Sequence, residues 1–285
     1  MRADLRKVEE SVMKGLMVVS TALILGTVVL VVATVVAKGF PALDLAMVTQ
    51  TPKGGFYLGK EGGVLNAILG SLCLAGGATF LAALVAVPIV IYLNVYARRG
   101  SRLAEFTRFS FGVLWGVPSI VYGAFGFTLM ILLGLRASLL AGIIAVALLV
   151  LPIMCRAMDE VARMVPRSLL DASYALGTTR LEAATKVLLR QALPGIMTAM
   201  LIAFGRGIGD AASVIFTAGF TDSLPTSLFR PVATLPLAIF FQLGTPVPEV
   251  QDRAYASALI LTVLILIISM TARLLARRQS RNVIR

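Results

Sequence analysis

Six stretches of this chain are apolar over the length a helix needs to cross a bilayer, about 20 residues, and no other feature restricts its fold as much. They fall at residues 15–37, 65–97, 109–135, 137–155, 191–220 and 254–275. The expected fold class is an all-α integral membrane protein with six transmembrane helices. Composition agrees, because hydrophobic residues make up 58% of the chain against about 45–50% in soluble domains. The first run is too long for the apolar core of a secretory signal, about 7–15 residues. It reads as a retained span, so residues 15–277 form one membrane domain.

The runs are not uniform. Residues 65–97 exceed one perpendicular crossing, and Gly76, Gly77 and Pro88 within them predict tilt, a kink or extension beyond the membrane. Gly-Val-Pro-Ser at 116–119 interrupts the third run. Residues 38–63 are polar and glycine-rich, which marks a loop. The apolar part of residues 228–243 is short and contains Pro231 and Pro236, so a short helix or re-entrant segment is expected there.

A net charge of +12 invites a nucleic-acid partner, but the placement of the basic residues argues against one. Residues 1–14, 98–108, 156–190 and 273–285 carry 4, 4, 6 and 5 of the 26 Lys and Arg. All four segments fall on one side of a six-span topology. Positive loops stay in the cytoplasm, so both termini are expected there, with residues 1–14 as a cytoplasmic segment and 278–285 as a basic tail. The chain has no histidine, which excludes a His-based metal site or proton relay, and its two cysteines, Cys73 and Cys155, make no disulfide framework. No GxxxxGK[ST] loop occurs, so nucleotide has to be bound by another chain and no cofactor is expected on this one.

The longest polar interval on that side, Val165 to Ile196, reads as two helices meeting at a bend. Pro166 suits a first helical turn, Val165, Leu169, Ala172 and Leu176 recur at helical spacing, and Gly177 is a left-handed stop. Thr179 and Glu182 have the spacing of a capping box, which starts a second helix running towards Pro194. Asp171-Ala172-Ser173, then Gly177, then Val187 resembles the EAA loop of ABC-importer permeases. Asp171 stands for the usual Glu, Ser173 for the second Ala, Val187 for Ile and Arg190 for Pro. DASYALGTTR followed by PGIMTAM is similar to phosphate-importer permease subunits, most of all those of the PstA type. The resemblance implies a type I importer fold in which residues 166–177 are a coupling helix, with Asp171, Ala172, Ser173 and Gly177 docking on the ATPase.

Within the spans, Arg206 and Asp210 stand four residues apart on what reads as one face of the fifth helix. An ionised side chain at the bilayer centre costs at least about 2.5–3.5 kcal/mol, so it faces protein or water. Two readings follow: a self-neutralising pair that locks helices together, or a guanidinium fork offered to a passing oxyanion. The resemblance favours the second. Phosphate permeases carry Arg-x-x-Gly-Glu-Thr-Ala-Pro here; Arg206, Gly209 and Ala212 match, while Asp210, Ala211 and Ser213 depart from it. Losing that proline is expected to remove a local kink. Asn94 is a further departure, since related sequences often carry an acid after Ile-Tyr-Leu. Ser119, Tyr122 and Gly123 could line a path but fit helix packing better.

The expectation is a non-enzymatic permease subunit in the inner membrane of a prokaryote. The resemblance implies as partners a homologous second permease of the PstC kind, two ATPase subunits and an extracytoplasmic phosphate-binding protein. Permeases for molybdate or sulfate share the loop and remain an alternative. A secondary anion transporter is the alternative from another class, but the inverted repeats it calls for are not visible in the sequence.

Overall fold

The computed structural model describes residues 2–53, 61–98 and 100–279. The glycine-rich loop at 54–60, Arg99 and the end of the basic tail at 280–285 lie outside the described residues. In chain order the helices are α1 (Arg2–Gly39), α2 (Leu45–Thr49), α3 (Leu65–Ile91), α4 (Arg102–Trp115), α5 (Ser119–Leu132), α6 (Leu139–Met164), α7 (Arg167–Ala175), α8 (Arg180–Glu182), α9 (Leu189–Ile208), α10 (Leu235–Leu243) and α11 (Pro248–Gln279). A two-residue hairpin, β1 (Pro52–Lys53) with β2 (Glu61–Gly62), is the strand structure among the described residues.

Helix α6 is the centre of the bundle. Val146, Val150, Met154 and Met158 are fully buried along it, and small residues let its neighbours close in. Gly77 of α3 lies against Ile143, Gly142 lies against Leu74 of α3, and Gly207 of α9 lies against Val146. At the other end of α6, Asn94 just beyond α3 reaches Asp159. Helices α3 and α6 therefore run parallel, and the chain between them has to return through α4 and α5.

That return is bent. Helices α4 and α5 meet at 102° across Gly-Val-Pro, and together they count as at most one span. Pro118 explains the break: it disfavours helix at the residue before it, and α5 starts immediately after it. Five further segments are long and apolar enough to cross a membrane. Pro88 is carried inside α3, whose last turn passes into a π-helical segment, Tyr92–Tyr96. The predicted kink thus appears as a change of helix type.

The fifth predicted span differs most from expectation. Helix α9 does not run to Phe220 but stops at Ile208, and residues 209–234 are turns and irregular chain. Gly205, Gly207 and Gly209 weaken the helix there, and Asp210 caps a new turn, as set out below. Towards its start the helix is longer than expected, because α8, a π segment (Ala183–Leu188) and α9 follow without a gap from Arg180. The second half of the polar interval is thus the foot of the span.

The irregular segment is buried, with Ser213, Val214, Thr217, Ala218, Val232 and Ala233 closed from solvent. Unpaired backbone is tolerated at membrane depth only where protein satisfies it. The amides of Ser138, Leu139 and Leu140 donate to the carbonyls of Thr217, Arg230 and Leu228, and Val232 donates to Ala218. Ser71 Oγ accepts from the amide of Leu235, and Asn66 donates to the carbonyl of Thr221. The short helix expected over residues 228–243 is α10, which packs in a second small core with Met47, Val64 and Ala256.

Candidate translocation and coupling sites

At its bend the stretch from Val165 to Ile196 has the predicted local chemistry, although Pro166 stands just before α7 with ψ 127° and not in its first turn. Helix α7 ends in a Schellman turn: Thr178 N–H donates to the carbonyl of Ser173 at 3.3 Å and Gly177 N–H to that of Tyr174 at 2.9 Å. Gly177 is left-handed, with φ +82°, and a Cβ there would meet nothing within 4 Å. The requirement for glycine is therefore conformational, not steric. Thr179 opens α8 with a complete capping box, its N–H donating to Glu182 Oε2 at 3.1 Å and its Oγ1 accepting from Glu182 N–H at 3.3 Å.

Asp171 and Ala172 are exposed on α7, whereas Ser173 is buried and hydrogen-bonded through its hydroxyl to Thr178 Oγ1 at 2.5 Å. Ser173 therefore shapes the bend and does not offer a surface. The apolar face predicted for α7 is split. Val165 and Leu169 are half-buried, while Leu176 at the tip is 85% exposed and Leu181 follows it at 60%.

Arg206 and Asp210 are brought together, but not as a pair on one continuous helix. Asp210 lies beyond the end of α9, with its side chain 3% exposed, and its Oδ1 stands 3.6 Å from the guanidinium of Arg206. At that length the contact is an ion pair without a hydrogen bond. The other oxygen, Oδ2, accepts from Ser213 N–H at 2.8 Å and from the Ser213 hydroxyl. Asp210 is thus an N-cap for the turns over 211–217, where Ile215 N–H donates to Ala211 and Ala218 N–H to Val214. The absent family proline does not straighten the chain as expected, because Asp210 and Ser213 provide the break.

Arg206 itself is 46% exposed. With Thr198, Ile202, Gly205 and Gly209 it belongs to one helical face: Thr198, Ile202 and Gly209 are exposed, and a Cβ on Gly205 would meet nothing within 4 Å. The opposite face, with Ala199, Ala203 and Gly207, is buried against the bundle. Ser119 starts α5, Tyr122 donates to the carbonyl of Leu114 at 2.8 Å, and Gly123 packs on the broken segment, where a Cβ would come within 2.9 Å of Ala212 and Ser213 backbone. Packing is the role of Tyr122 and Gly123.

A third cluster has no counterpart in the sequence reading. Asp159 of α6 is 5% exposed. Its Oδ2 pairs with Arg108 Nε of α4 at 2.8 Å and Arg163 Nε at 3.2 Å, and its Oδ1 accepts from Asn94 at 2.8 Å. Arg108 closes a fork with a second contact to Oδ1 at 3.2 Å. Asn94 thus helps to hold a carboxylate supplied by α6. A usable signal existed: Cys155, Met158 and Ala162 continue the apolar face of α6, and Asp159 lies on it.

A family described as "Binding-protein-dependent transport system inner membrane component" matches residues 78–285. The chain is 37% identical over 240 residues to a Yersinia pestis protein named "Phosphate transport system permease protein PstA", covering 84% of this chain and 80% of that one. It is 33% identical to a Haemophilus influenzae protein of the same name, covering 94% of each. It is also 33% identical to a Mycobacterium tuberculosis protein named "Phosphate transport system permease protein PstA 1", covering 97% and 91%. Among solved structures, an inward-facing MetNI methionine ABC transporter superposes with TM-score 0.62 at 19% identity, covering 76% of this chain and 95% of that one. That likeness concerns the fold. The match over most of the chain and the level of identity place it: the chain belongs to the binding-protein-dependent transport system inner membrane component family.

Proposed function

We propose that this chain is a permease subunit of an ATP-driven importer of inorganic phosphate and contributes half of the translocation path. In this reading α4 and α5 together make one of six spans, both termini face the cytoplasm, and the α7 end is the cytoplasmic end. The observation that carries it is the open face of α9. A guanidinium that the described residues leave 46% exposed stands there beside glycines, at the point where the helix breaks. An arginine in that position needs a second polar surface, which a homologous permease of the PstC kind would provide. The names of the relatives supply the substrate, phosphate, and the charge of Arg206 suits it.

Helix α7 is assigned to the ATPase. Its exposed Asp171 and Ala172 and the protruding Leu176 form a short polar and apolar tip held stiffly by the Schellman turn and the capping box. An extracytoplasmic phosphate-binding protein would deliver substrate at the opposite end, where α2, the hairpin and α10 lie. The test is reconstitution of this chain with its second permease, ATPase and binding protein in vesicles. ATP-dependent accumulation of phosphate, unaffected by excess molybdate or sulfate, is the expected result. Uptake driven by an ion gradient without ATP, or preference for another oxyanion, would overturn it.

A further inference from the structure

A cleft of about 660 Å³ opens beside α7 and has no part in the translocation reading. Its size falls within the range of small-molecule sites, about 300–1,000 Å³. Four arginines line it from four separate parts of the chain: Arg98 from the link after the π segment, Arg108 from α4, Arg163 from α6 and Arg167 from α7. Glu105 and Asp171 are the carboxylates of the lining. Arg108 and Arg163 are held in place from behind by the buried Asp159, whose Oδ1 is further occupied by Asn94 and Arg108. Arg98 and Arg167 are exposed, and their guanidinium groups form no ion pair or hydrogen bond among the described residues. Leu93, Val165, Leu170 and Leu188 give the same cleft apolar walls.

Like charges gathered in a concave site repel one another and raise the local potential for an anion. Guanidinium forks fit tetrahedral oxyanions, and arginines preset by a buried carboxylate lose little freedom on binding one. Basic pockets between membrane helices with apolar walls also suit lipid headgroups. We infer that this cleft is a binding site for a phosphate group, taken either from free inorganic phosphate or from the headgroup of an anionic phospholipid. An occupant held by Arg167 of α7 together with Arg98 and Arg108, which lie outside α7, fixes α7 against the bundle. That consequence rests on the assignment of α7 to ATPase docking; the binding itself does not.

The test compares two forms of the complete transporter, purified in neutral detergent without the binding protein. The parent carries Arg206→Gln, which removes the phosphate contact proposed for the pathway. The second form adds Arg98→Gln and Arg167→Gln, which leave Asp159 and its two arginines intact. Inorganic phosphate is measured by equilibrium dialysis with radiolabel, and phosphatidylglycerol by native mass spectrometry after reconstitution in nanodiscs. The expected result is a loss of affinity of roughly tenfold or more for at least one of the two ligands. Loss of phosphate alone identifies a free-anion site, and loss of lipid alone a headgroup site. If both ligands bind the two forms equally, the inference fails, and it fails equally if only ATPase association changes. Phosphate uptake by the Arg206→Gln parent at the wild-type rate would overturn the pathway reading instead and leave this comparison valid.

Discussion

Two acids with similar burial have different work, and their neighbours show it. Asp210 holds the start of the turns over 211–217 through Ser213 and touches Arg206 only at 3.6 Å. Asp210→Asn keeps an oxygen acceptor for Ser213 N–H and should fold normally, while Asp210→Ala should lose about 1 kcal/mol, as other N-caps do. Thermal unfolding of the purified protein in detergent separates the two, and equal stabilities would refute the capping role. Asp159 is different because two cations depend on it. Its removal as Asp159→Ala leaves the partly buried Arg108 with only the Leu93 carbonyl and should cost about 3 kcal/mol, near the low end for a buried pair because Arg163 is half exposed. The exchange Asn94→Asp with Asp159→Asn returns a carboxylate to the same cluster and should restore most of that loss. Failure of the exchange to recover any stability would mean that position 159 alone can serve the arginines.

Among the elements, those set by local chemistry were legible in advance and those set by packing were not. Pro166, Gly177, Thr179 and Glu182 each act within a few residues of themselves, so the bend after α7 follows from their order. Gly177→Val should strain the left-handed turn by about 1–2 kcal/mol without any clash, since the site is open. It should tilt the tip of α7 and separate ATP hydrolysis from phosphate uptake while the protein still inserts. Normal coupling in that variant, measured as phosphate moved per ATP, would remove α7 from the docking role. The end of α9 could not be read in the same way. Residues 209–220 are apolar enough to continue a helix, and their irregular path is held by distant partners such as the amides of Ser138 and Val232. The Asp210–Ser213 spacing of a cap was the local trace of the break.

For the whole molecule, composition and the placement of basic residues carry the membrane assignment, yet the single chain is incomplete as a pathway. Apolar side chains of α1 face outward along its length, as lipid contact requires, but on α9 Arg206 is 46% exposed and meets only Asp210 among the described residues. A stable, transport-competent particle should therefore contain a second permease polypeptide, which native mass spectrometry of the purified complex counts directly. A competent particle holding one permease chain alone would contradict this. The sequence showed the arginine but not its exposure, because whether a charge in a span is paired or open depends on where the helix ends. The most direct measurement is phosphate uptake by Arg206→Gln combined with Asp210→Asn, a variant that removes both charges and so leaves neither stranded. The account predicts a complex that assembles normally and takes up almost no phosphate; uptake restored to the wild-type rate would make Arg206 a structural partner and contradict it.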